Sequence, residues 1–127
     1  MNQFEKHFTL EEARALLPTL REIFASIHNH KAILEASDVE LSEELSRTGG
    51  DVGGKNVSNL VSAMLGLKDG LTRITNMGIQ VKDLDRGLVD FPSMRGKREV
   101  FLCWELEEED IEFWHDIEAG YAGRERL

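Results

Sequence analysis

At 127 residues, 41% of them hydrophobic, the chain has the length of one domain and enough apolar material for a core. Its 24 acidic against 15 basic side chains give a formal charge of −9, which argues against nucleic acid or an anionic membrane surface as partner, because both need clustered Lys and Arg. No apolar run approaches the roughly 18 to 20 residues that span a bilayer, and no basic-then-apolar segment after Met1 suggests a signal peptide. The one cysteine, Cys103, cannot close an internal disulfide and fits a reducing compartment, so a cytoplasmic location is expected.

Thr9-Leu10-Glu11-Glu12 reads as a capping box opening a helix. Apolar positions follow at Ala13, Leu17, Leu20, Phe24, Ile27, Leu34, Leu41 and Leu45 on alternating four-three steps, a heptad-like seam that predicts a long helix over residues 10–46. Pro18 removes the hydrogen bond to the Arg14 carbonyl and predicts a bend. The polar stretch between Leu34 and Leu41 leaves a two-helix alternative open. Residues 47–55 carry four glycines and read as a helix-helix connection, since Gly54-Lys55 is followed by Asn56 and lacks the ending of a phosphate loop.

Val57, Leu60, Met64, Leu67, Leu71 and Ile74 form a second seam, predicting a helix over residues 57–77 that stops at Gly78 and Ile79 in a Schellman motif. The two helices are expected to pair antiparallel. At 1.5 Å per residue the arms would be roughly 54 and roughly 30 Å long. The surplus seam of the longer arm needs a cover, which predicts a homodimer through the helical seams.

After Gly78 the period changes to alternation. Ile79 to Leu84 and Leu88 to Phe91 flank Asp85-Arg86-Gly87, a three-residue hairpin loop that pairs Leu84 with Leu88 and puts Lys82 across from Asp90. A two-residue Arg86-Gly87 loop would instead set Asp83 against Asp90. Pro92 to Gly96 is expected to turn the chain, and Glu99 to Leu106 to form a third strand with Val100, Leu102, Trp104 and Leu106 on one face. The acidic run Glu107 to Asp110 suits the positive end of a last helix packing Trp114, Ile117 and Tyr121. The expected fold is α+β: a long antiparallel helical hairpin (residues 1–77), then a three-stranded antiparallel β-meander and a C-terminal helix (residues 78–127), together one domain.

Three blocks, GIQVKDLDRGLVDFP, FLCW and WHDIEAGYAGR, with the opening FTLEEARALLP, make the chain resemble the prokaryotic family known as domain of unknown function 2203. The resemblance covers nearly the whole chain. It implies a fold and a prokaryotic cytoplasmic origin, and no activity. Where the family is expected to show Gly-Glu before the last element, this chain has Glu107-Glu108.

One cluster carries chemistry. His115 and Glu118, three apart on the expected helix, would share one ion, and Asp83, Asp85 and Asp90 from the hairpin would complete a carboxylate-histidine set for a divalent metal such as Zn, Mn or Fe(II). An open coordination position would then support hydrolytic chemistry. The three-residue register argues against that reading, because Lys82–Asp90 is an ordinary cross-strand ion pair. Cys103, on the opposite sheet face from Leu102 and Trp104, reads as a packing residue rather than a nucleophile. His28 and His30 read as surface residues, and Arg124 and Arg126 as part of a loose terminus. Two functions follow: a homodimeric interaction or ligand-binding module without catalysis, or a small metal-dependent hydrolase-like enzyme.

Overall fold

The computed structural model describes residues 2–48 and 55–127, with side chains for residues 2–37 and 57–127. The chain is α+β. Its helices are α1 (Leu10–Ala15), α2 (Leu17–Thr48) and α3 (Lys55–Asn76), and its strands β1 (Gln80–Asp83), β2 (Leu88–Arg95), β3 (Arg98–Trp104), β4 (Phe113–Asp116) and β5 (Glu125–Arg126). Two compact units result, one of residues Met1–Glu22 with Arg73–Leu127 and one of Ile23–Thr72. Among the described residues no helix is long and apolar enough to cross a membrane.

The capping box forms as its residues dictate. Thr9 Oγ1 accepts from the Glu12 amide at 3.1 Å and the Glu12 carboxylate accepts from the Thr9 amide at 2.9 Å. The single helix expected over residues 10–46 is two, separated at Leu16. Pro18 has no N–H to offer Arg14, so the α1 ladder stops there and resumes with the Leu20 amide on Leu16 O at 2.9 Å. Beyond this break the backbone stays helical through Thr48, so the alternative break between Leu34 and Leu41 does not occur. The expected seam positions Leu41 and Leu45 lie outside the described side chains, and the glycine-rich connection at 49–54 lies outside the described residues.

Helix α3 ends in the Schellman geometry. Gly78 sits at φ +90°, its amide donates to Thr75 O at 2.9 Å, and the Ile79 amide donates to Ile74 O at 3.4 Å. Its buried face differs from the expected one. Ile74 is buried as expected, but Val57 and Met64 are exposed, whereas Ala63 and Gly70 are buried. Glycine explains the rotation. A Cβ on Gly66 would fall 2.4 Å from His30 Nε2, and one on Gly70 would fall 2.6 Å from Ile27 Cγ1. The helices approach through positions that carry no side chain, and the pairs 27–70 and 30–66 run in opposite senses, so the hairpin is antiparallel. His30 accordingly faces α3 instead of the surface.

The sheet has five strands in the order β1-β2-β3-β4-β5, every neighbour antiparallel, where three were expected. Neither expected hairpin register forms. Asp83 pairs with Leu88, Val81 with Val89 and Gln80 with Asp90, leaving Lys82 as a bulge. A four-residue turn results, closed by the Gly87 amide on Leu84 O at 3.3 Å with Gly87 at φ +63°. Pro92 does not turn the chain. It lies within β2 beyond the end of β1, where a missing N–H costs nothing, and its carbonyl accepts the Phe8 amide at 2.7 Å. The reversal comes at Gly96-Lys97, with Gly96 at φ +66°.

The expected C-terminal helix is absent. Residues Phe113–Asp116 form β4, paired with β3 (Leu102 to Trp114, Phe101 to His115), followed by a 3-10 turn at Tyr121–Gly123 and β5. Trp114 and His115 are consecutive, both buried, and point to opposite sheet faces. A helix cannot bury two such neighbours on opposite sides, whereas a strand covered on both faces does. The chain reaches β4 through a turn closed by the Glu108 amide on Glu105 O at 2.9 Å. Glu107 keeps a negative φ there, so glycine is not required at that position.

Candidate functional site

Strand register assembles a buried polar cluster on the sheet. Asp90 on β2 and Cys103 on β3 are direct cross-strand partners, and His115 on β4 lies opposite Phe101, two residues along from Cys103. All three therefore project from the same face. They are 3%, 1% and 2% exposed respectively. His115 Nε2 stands 3.0 Å from Asp90 Oδ1, and Nδ1 stands 2.7 Å from the Asp116 carbonyl oxygen. A carbonyl has no proton to give, so Nδ1 carries the hydrogen and donates it.

Cys103 completes the cluster. Its sulfur, a carboxylate oxygen of Asp90 and a ring nitrogen of His115 lie within 4.8 Å of one another. Arg124 covers the sulfur with Nη1 at 3.9 Å and is held by Glu108 at 3.1 and 3.2 Å and by the rings of Phe113 and Tyr121 at 4.0 and 4.3 Å. The terminus around Arg124 is thus tied down rather than loose.

These three residue types also compose a nucleophilic triad, but the geometry does not make one. In a triad one imidazole nitrogen faces the nucleophile and the other faces the orienting acid. Here Asp90 and a backbone carbonyl take both nitrogens, and none is left for the thiol. Burial pushes the Cys103 thiol up to about 12, the Asp90 charge acts in the same direction, and Arg124 opposes them without winning. A thiol held neutral at neutral pH is not a nucleophile.

Of the five residues expected to share an ion, the fold brings Asp90 and His115 together. Asp83 is half-buried and shapes the hairpin turn, with Oδ1 accepting the Arg86 amide at 3.1 Å. Asp85 is exposed within that turn, and Glu118 is exposed in the turn after β4, on no helix with His115. Cys103 belongs to the cluster although sequence reasoning placed it in packing. The available signal was parity: Asp90 and Cys103 both stand one position off the apolar faces Val89/Phe91 and Leu102/Trp104.

A second feature lies on the helical hairpin. Val57, Val61, Met64 and Leu65 follow a helical i, i+4, i+7, i+8 spacing along α3, and all are exposed.

The profile of one protein family, described as an uncharacterized conserved protein (DUF2203), matches residues 6–127. No curated protein and no solved structure matches the chain.

Proposed function

Since the chain belongs to the DUF2203 family, which carries no assigned activity, we propose from its own geometry that it is a non-catalytic interaction module, cytoplasmic, that pairs with a second copy along its helical hairpin. The observation that carries this reading is the outer stripe of α3, where Val57, Val61, Met64 and Leu65 are 40%, 47%, 54% and 62% exposed. Single exposed apolar residues need no explanation, but four on one helical stripe form a patch. Stripes of this spacing fit the matching stripe of a second helix in the manner of a coiled coil.

The hydrolase-like alternative has less support, because Asp90, Cys103 and His115 are sealed from substrate. Four side chains make a small contact beside the roughly 1,600 Å² of a standard stable interface. The pairing is therefore expected to be weak, with a dissociation constant in the micromolar range or above. Sedimentation across a wide concentration series tests it. Mass rising from monomer to dimer with concentration supports the reading, and a monomer at every concentration up to about 1 mM, roughly −4 kcal/mol of association, sinks it.

A further inference from the structure

We propose that Asp90, Cys103 and His115 form a closed binding site for one thiophilic divalent transition-metal ion of the zinc type. The donor set is one carboxylate oxygen, one sulfur and one imidazole nitrogen, each a zinc ligand, with the atoms within 4.8 Å of one another. Ligand atoms around a tetrahedral zinc lie roughly 3.3 to 3.8 Å apart, given bond lengths of about 2.0 to 2.3 Å. The Asp90–His115 pair is already at 3.0 Å, so the set needs side-chain adjustments on the order of 1 Å and no change of fold.

The imidazole is oriented for this task. Its Nδ1–H is fixed on the Asp116 carbonyl, which leaves Nε2, 3.0 Å from Asp90 Oδ1, as the nitrogen open to an ion that takes the place of their shared proton. Metal-bound histidines are characteristically held by such an outer hydrogen bond on the far nitrogen. Arg124 plays a similar outer part toward the sulfur, and its charge is answered by Glu108 at 3.1 Å, so it does not repel an incoming cation with a bare positive charge.

Charge balance favours the exchange. Without an ion, a thiol carries its own proton and one proton lies between Asp90 and His115 Nε2, because Nδ1 already donates to the Asp116 carbonyl, so the three groups together carry no net charge. A divalent ion bound to carboxylate, thiolate and neutral imidazole again sums to zero. The ion replaces two protons, one from the thiol and one shared between Asp90 and His115, and both leave to solvent. A buried site that is neutral in both states avoids the large penalty of a buried net charge. Sulfur and imidazole disfavour magnesium and calcium, which prefer all-oxygen shells. Three protein donors leave the fourth position of a tetrahedral ion without a protein ligand, and the burial of all three residues closes that position to substrate. This inference is independent of the pairing proposed above.

Cobalt(II) is the probe, supplied both to the folded chain and during refolding, so that slow entry into a sealed site does not mask binding. The expected result is one cobalt per chain with a thiolate-to-cobalt charge-transfer band, bleached by zinc and unaffected by excess magnesium. Cys103 is the chain's only cysteine, so the band in the unmodified protein identifies the ligand even if a variant misfolds. Cys103→Ser and Asp90→Asn are each expected to weaken binding at least about tenfold. Cobalt bound without the band, or no stoichiometric binding by either route, overturns the proposal.

Discussion

The sheet unit and the helical hairpin treat their polar and apolar groups in opposite ways. In the sheet unit, Asp90, His115 and Ser93 are buried, yet each has a partner: Asp90 and His115 hold one another, and Ser93 Oγ donates to Phe8 O at 2.6 Å. At the margin, Glu99 holds the N-terminal segment through the Gln3 amide at 2.6 Å, the Phe4 amide at 3.0 Å and His7 at 2.8 Å. Burial alone would raise the Glu99 carboxyl, but these three donors hold it below its ordinary value. Among the described residues the hairpin instead leaves four apolar side chains of α3 exposed and one buried polar atom, His30 Nδ1, without a hydrogen bond. An interior with its polar groups answered is complete in one chain. A helix with an apolar stripe on each side is not.

Breaking the polar cluster gives the largest expected effect. Asp90→Ala strands the His115 ring at a position 2% exposed, and removing one partner of a buried pair costs about 3 kcal/mol. Urea unfolding measures it, and a loss below about 0.5 kcal/mol would mean that the pair contributes no more than a surface contact. A smaller effect comes from pH. The Cys103 thiol is raised in the folded chain from 9.0 to about 12, so above pH 9 the unfolded chain loses this proton before the folded chain does. Stability from this group is fully present below pH 9 and falls by about 1.4 kcal/mol per pH unit as pH rises toward 12. Cys103→Ala should flatten that part of the profile, and an unchanged slope would assign the loss to other groups.

The same contrast explains what could be read without the fold. The capping box and the Gly78 stop are local, each settled by residues within one or two turns, and both form, while the bend expected at Pro18 is a full break at Leu16. The hidden features depend on distant partners. Trp114, Ile117 and Tyr121 have helical spacing behind an acidic run, and only pairing with β3 makes the segment a strand. Assembly of Asp90, Cys103 and His115 required two registers, one of them across that unforeseen strand. On α3 the error was of another kind. Counting apolar side chains favoured Val57 and Met64, whereas the packed face runs through Ala63, Gly66 and Gly70, where closeness of approach matters more than hydrophobicity.

That rotated face sets the smallest effect on stability and the sharpest test of the hairpin. Met64 is 54% exposed on the outer stripe, so Met64→Lys removes little buried area and keeps a good helix former. Its effect on monomer unfolding should stay within about 0.5 kcal/mol. Its effect on pairing should be much larger, because a twofold axis near Met64 would bring two like charges together in a contact that excludes water. Unfolding at low concentration and sedimentation at high concentration separate the two quantities. Loss of the dimer with stability unchanged makes the stripe an adhesive surface of an otherwise finished fold. A large loss of stability in the dilute monomer would mean that the side chain at residue 64 packs within its own chain, and the outer stripe would lose its claim on a partner.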